Sequence, residues 1–100
     1  MSAATIDALK RAGFAPYGTG GNCQAWAKEF PNATVLVTDW DDPGPLPDES
    51  TTNFYVGIDD SEGPLTLDGV EEKAVPEADL FRVLSICCHV AECHQPPEDV

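Results

Sequence analysis

Residues 22–40 read NCQAWAKEFPNATVLVTDW, and the fold depends on how this stretch is taken. Thr34 to Trp40 is a short run rich in β-branched residues, the clearest strand in the chain. Residues 22–30 are ambiguous, because Ala25, Ala27, Lys28 and Glu29 suit a helix. Their alternation nevertheless sets Gln24, Trp26, Lys28 and Phe30 on one side and Cys23, Ala25 and Ala27 on the other. Pro31-Asn32 joins the two runs and leaves almost no room for anything but a tight turn. The stretch therefore reads as a β-hairpin.

Outward from the hairpin, residues 41–52 hold Pro43, Gly44, Pro45 and Pro47 and form a loop. Asn53 to Asp59 is a second clear strand, followed by a turn over Asp60 to Gly63. Pro64 to Val70 nearly alternates and suits a short edge strand. Upstream, Phe14 to Thr19 is β-like, and Gly18, Gly20 and Gly21 mark a turn or bulge.

Two helices flank the sheet. Thr5 to Ala12 is short, with Thr5 placed to cap it, Lys10 and Arg11 in its last turn and Gly13 as its stop. Its apolar side is only Ile6 and Leu9, so it should pack lightly. Pro76 to about Cys93 is longer, with Glu77 and Asp79 favouring its N-terminal dipole. Leu80, Val83, Leu84, Cys87 and Ala91 form its apolar stripe, widened by Phe81 and Cys88. The fold class is α+β: a small antiparallel sheet of three to four strands, covered by the long C-terminal helix with a short N-terminal helix beside it. Residues 1–95 form one domain, and 96–100, which follow or include Pro96 and Pro97, a disordered tail.

The chain has 100 residues, 42% of them apolar, enough for one modest core and against wholesale disorder. No run approaches the length of a membrane span, and the N-terminus lacks a signal-peptide apolar core. With no export signal, Cys23, Cys87, Cys88 and Cys93 read as reduced thiols, and the expected location is cytoplasmic.

Charge is the most distinctive property. Eighteen acids against five bases give a formal net charge of -13. Between Asp39 and Asp79 lie 13 acids and one base, Lys73. Such a balance disfavours nucleic acid and anionic membranes as direct ligands, since phosphate binding needs clustered Lys and Arg. It favours a basic protein surface. The expected partner-binding residues are Asp39, Trp40, Asp41, Asp42, Asp48, Glu49, Asp59, Asp60 and Glu62. Trp40, inside an acidic cluster, serves either as an interface anchor or as a core residue at a strand end. If the two central strands are antiparallel, the Asp39–Asp42 and Asp59–Glu62 clusters fall at opposite ends; if parallel, they coincide.

Other chemistry finds less support. Asp39 to Gly44 matches the start of a calcium loop, but Pro43 and Ser50 stand where ligands are needed. Cys87, Cys88, His89, Cys93 and His94 are potential metal ligands, yet one straight helix cannot wrap a tetrahedral ion. No nucleophile elbow, P-loop or dinucleotide fingerprint occurs. The expectation is a non-enzyme with no catalytic residues, no cofactor and no metal.

In size, charge and build, the Asp39–Glu49 and Asp59–Glu62 carboxylates on a small α+β frame resemble the short acidic inhibitors that phages and mobile elements direct against host defence. Anti-CRISPR proteins are among them. These inhibitors share no motif, so no residue role carries over. The resemblance implies DNA mimicry: binding to the basic nucleic-acid surface of a CRISPR effector or nuclease, and steric and electrostatic exclusion of nucleic acid. Two other readings stand beside it, an adaptor binding through an apolar groove or sheet edge, and a metal or Cys/His protein using Cys23, His89, Cys93 and His94.

Overall fold

Val35 and Val37 are fully buried while Leu36 and Thr38 between and beyond them are half-buried, the period-2 burial of a pleated strand. The computed structural model describes residues 1–20, 23–42, 44–60, 63–64 and 74–94. In chain order the elements are α1 (Ala3–Arg11), β1 (Ala15–Gly20), β2 (Cys23–Glu29), β3 (Thr34–Asp39), β4 (Asn53–Asp60), β5 (Gly63–Pro64), β6 (Val75–Pro76) and α2 (Glu77–Cys93). The class is α+β, and every strand pairing is antiparallel.

Residues 23–29 are a strand, so the hairpin reading of 22–40 holds. Glu29 pairs with Thr34, and Phe30 N–H donates to the Ala33 carbonyl at 2.7 Å across Pro31-Asn32. Sheet order is β1-β2-β3-β4-β5, with β6 also on β4. The expected three to four strands are thus too few. β4 pairs with β5 at Asp59 and Asp60 and with β6 at Asn53 and Phe54, so two short segments share one edge position. Two residues are too few to leave a periodic pattern. Pro64 and Pro76 sit in these edge pieces, where a missing N–H is tolerated. Of the expected edge strand at 64–70, residues 65–70 lie outside the described residues, as does the tail at 96–100. The register between β1 and β2 shifts between Gly18 and Gly20, the anticipated bulge.

α1 begins earlier than its sequence suggests. Ser2, not Thr5, is the N-cap: its Oγ accepts the Thr5 N–H at 3.2 Å. At the other end Gly13 takes φ 98°, Phe14 N–H reaches the Leu9 carbonyl at 3.0 Å, and Gly13 N–H that of Lys10 at 3.1 Å. This Schellman arrangement folds Phe14 back onto Leu9. Leu9 is completely buried, so the thin apolar side is still a firm anchor.

The core lies between one face of the sheet and the helices. It contains Trp26, Val35, Val37, Phe54 and Ile58 from the sheet, Leu9 of α1 with Phe14 just after that helix, and Leu80, Leu84, Cys87 and Ala91 from α2. Cys88 widens the stripe as expected; Phe81 does not and is 40% exposed. Trp26 Nε1–H donates to the Pro47 carbonyl at 2.9 Å, which satisfies the indole and ties the 40–52 loop over the core.

Glu77, first residue of α2, joins both helices. Its Oε2 accepts the Ser2 N–H at 2.9 Å and the Thr5 hydroxyl at 2.6 Å, and its Oε1 is 3.9 Å from the Met1 ammonium. That ammonium also donates to the Asp48, Glu49 and Thr51 carbonyls. The Ser2 backbone bond, then the Thr5 hydroxyl, hold the Glu77 carboxyl below its ordinary value of 4.5. A carboxyl lowered on folding stabilises the fold above its unfolded pKa, and that contribution is lost as pH falls through the folded value. Because the side chain is 35% exposed, water screens the interaction. Glu77→Gln should therefore cost only about 1 kcal/mol at neutral pH. Urea denaturation at several pH values should show the gap between variant and parent closing below pH 4.5. A gap constant with pH would contradict this role.

Candidate partner-binding surface

Alternation along each strand assigns the second face of the sheet. Val35, Val37, Phe54 and Ile58 face the helices, so Leu36, Thr38, Tyr55, Gly57 and Asp59 face away. The register extends this face into Ala27 and Glu29 of β2, and Ala15 and Tyr17 of β1. One row runs Ala15, Ala27, Leu36, Gly57 across four strands. Neither helix covers this face.

The row's small side chains form a floor. Tyr17, 47% exposed, stands at the β1 side. At the β4 side the Tyr55 ring lies across Gly57: a Cβ there would come within 2.8 Å of Tyr55 Cε1, so a side chain at 57 would displace the ring. Trp40, 40% exposed, is tilted against Tyr55 with ring centroids 6.5 Å apart. Trp40 is therefore not a buried core residue at the strand end. Tyr17 and Tyr55 were not among the expected site residues. The alternation of 53–59 contains the signal, since it places Tyr55 and Gly57 opposite Phe54, Val56 and Ile58.

The acidic residues are divided between two ends. Because β3 and β4 are antiparallel, Asp39 pairs with Phe54 while Thr34 pairs with Asp59. Five residues of strand separate these rows by about 17 Å. Asp39, Trp40, Asp41 and Asp42 belong to one end, where Asp48 and Glu49 of the same loop lie toward the helices against the Met1 ammonium; Asp59 and Asp60 belong to the other. Glu62 lies outside the described residues.

Several of these carboxylates also shape their own loop. Asp39 Oδ1 accepts the Asp41 N–H at 2.9 Å, and Asp42 Oδ1 accepts the Gly44 N–H at 3.1 Å. Asp48 Oδ1 accepts from the Ser50 hydroxyl at 2.6 Å and the Ser50 N–H at 2.8 Å, bonds that lower its pKa. These are side-chain-to-backbone turns of the usual Asp kind. Asp60 Oδ2 is 3.2 Å from His94 Nε2, and the Asn32 amide donates to the His94 carbonyl at 3.2 Å. His94 thus joins the C-terminal end of α2 to β4 and is half-buried. Among the described residues, the side chains of Asp41, Glu49 and Asp59 have neither a hydrogen-bond nor an ion-pair partner.

Among the described residues, strand alternation brings no Lys or Arg onto this face. Lys10 and Arg11 belong to α1, and Arg82 to α2, where it is 3.5 Å from Asp79. Lys28 pairs with Val35 on the helix-facing side of the sheet, its ammonium 5.4 Å from the Phe30 ring centre. Lys73 lies outside the described residues. Cys87 is buried and Cys88 half-buried, and burial raises both thiols, the opposite of what a nucleophile or metal ligand requires. Among the described residues no group of three or more His, Cys, Asp or Glu side chains is close enough to hold a metal ion. No described helix is long and apolar enough to cross a membrane.

The chain matches no protein-family model, no curated protein and no solved structure.

Proposed function

We propose that this protein is a non-catalytic inhibitor that binds a basic protein surface and thereby denies nucleic acid access to it. The observation that carries the reading is the composition of the helix-free side: exposed Trp40 and Tyr17 and half-buried Tyr55 over a small-residue floor, carboxylates at both ends, and no Lys or Arg alternating onto this face among the described residues. Aromatic anchors supply desolvated contact area, and an acidic rim steers and orients a cationic partner. Lys- and Arg-lined grooves that hold nucleic acid are surfaces of this kind. The division of the acids into two ends gives the mimicry a definite form: Lys and Arg of the partner are met at two places about 17 Å apart, with an apolar contact between them.

The test is capture from a lysate at low salt, elution by a salt step, and competition between the eluted partner's nucleic acid and this protein. Competition and a Lys/Arg contact face support the reading. A partner retained through the salt step on a face without Lys or Arg would favour the adaptor reading instead.

Charge reversal separates steering from folding. Asp41→Lys with Glu49→Lys alters two exposed carboxylates that hold no described backbone amide, so stability should stay within about 0.5 kcal/mol. Association with the captured partner should slow about ten-fold at low salt and lose part of its salt dependence. Unchanged association kinetics would remove the 40–52 loop from the interface.

A further inference from the structure

At the Pro31-Asn32 end of the helix-free face lies a cleft of about 440 Å³. Its lining includes Tyr17, Phe30, Leu36, Asp59, Asp60 and His94. The volume falls within the range of ordinary ligand sites. From this lining we propose that the cleft seats one arginine side chain of the partner, a refinement that rests on the binding reading above.

The chemistry selects the guest. Asp59 contributes a half-buried carboxylate with no hydrogen-bond or ion-pair partner among the described residues. Asp60, beside it in the chain, is held by His94, which fixes the rim at that side. Leu36 gives an apolar wall for a methylene stem, and the exposed Tyr17 ring gives a face for a flat cation. Phe30 is already occupied on one face by the Lys28 ammonium. Glu29, on the same face of β2 and paired with Thr34 at the cleft, adds a negative charge that offsets Lys28. A guanidinium matches such a site better than an ammonium: its planar fork can take a carboxylate with two parallel bonds, and it stacks on a ring while remaining weakly hydrated.

The experiment is a titration of the 15N-labelled full chain with acetyl-Gly-Arg-Gly-amide, the same peptide carrying lysine or citrulline, free arginine, and separately nona-arginine. Saturable amide shifts should centre on Thr34, Leu36 and Asp59 with the arginine peptide. Lysine should bind more weakly, and citrulline at least about ten-fold more weakly, because it keeps the shape and loses the charge. Asp59→Asn and Tyr17→Ala, both on the uncovered face, should each weaken the arginine peptide by about five- to ten-fold. Citrulline binding equal to arginine, insensitivity to Asp59→Asn, tighter binding of free arginine than of the peptide, or shifts spread evenly over the surface would each overturn the assignment. Nona-arginine distinguishes the two levels. If it binds at the Trp40 and Tyr55 end and leaves the cleft unmoved, the arginine seat fails and the wider reading stands. If it does not bind at low salt, the wider reading fails.

Discussion

Phe54→Ala should lower the stability of this protein by about 3–5 kcal/mol, the largest effect expected of any single core substitution. Phe54 is the largest side chain with no solvent exposure. It sits where β4 meets β3 and β6, paired with Asp39 and Val75, and β4 and β6 both contact α2. Removing its ring takes away apolar burial and leaves a cavity walled by regular elements that cannot easily collapse. A domain of this size has only about 5–15 kcal/mol in total, and 1 kcal/mol corresponds to roughly 4–8 °C in melting temperature. The variant should therefore melt about 15–30 °C lower, or not fold at 37 °C. Phe81→Ala is the matched control: the same change on the exposed side of α2 should cost less than about 1 kcal/mol. Equal losses at the two positions would mean that the assignment of core and surface is mistaken.

That contrast also marks where the sequence was informative. Thr34 to Asp39 and Asn53 to Asp59 declared themselves as strands through short runs of β-branched and aromatic residues, and α2 declared itself through its Leu80, Leu84, Cys87 stripe. Phe81 was taken for part of that stripe because hydropathy alone does not say which way an aromatic at the margin turns. The β2 strand was legible as two faces but not as inside and outside, since Ala25 and Ala27 are as apolar as the Trp26 side. α1 was shortened because Ser2 lies beyond the first periodic residue, and because Glu77, 75 positions away, completes its cap. Register was the decisive missing fact for the site. The acids of 39–62 are one run in the sequence and two groups in space, because the antiparallel pairing of β3 and β4 reverses the chain between them. Tyr55 over Gly57 was readable in principle from the alternation of 53–59, whereas the cleft near His94 was not: it depends on the end of α2 meeting the β2–β3 turn.

The second large effect concerns the partner and not the fold. Trp40→Ala should weaken binding of the captured partner at least about 25-fold, corresponding to the 2 kcal/mol or more typical of a central aromatic anchor. Trp40 lies between the two kinds of contact that the helix-free side offers. It adjoins Asp39, Asp41 and Asp42 in the chain and lies tilted beside Tyr55 at the edge of the apolar floor. A ring in that position is desolvated when a partner covers the face, while the surrounding carboxylates keep water at the rim. Its free-state role is small: the indole is 40% exposed, and its backbone N–H bond to the Asn53 carbonyl survives truncation. Stability should therefore fall by no more than about 1 kcal/mol. The loss should appear in the dissociation rate and persist at high salt, where charge reversal of Asp41 and Glu49 has little left to remove. Combining Trp40→Ala with that charge reversal tests whether anchor and rim are separate, since contributions through different physical terms should add to within about 0.5 kcal/mol. A Trp40→Ala variant that binds like the parent, with Asp41→Lys and Glu49→Lys abolishing association, would reduce the interface to its carboxylates and remove the sheet face from it.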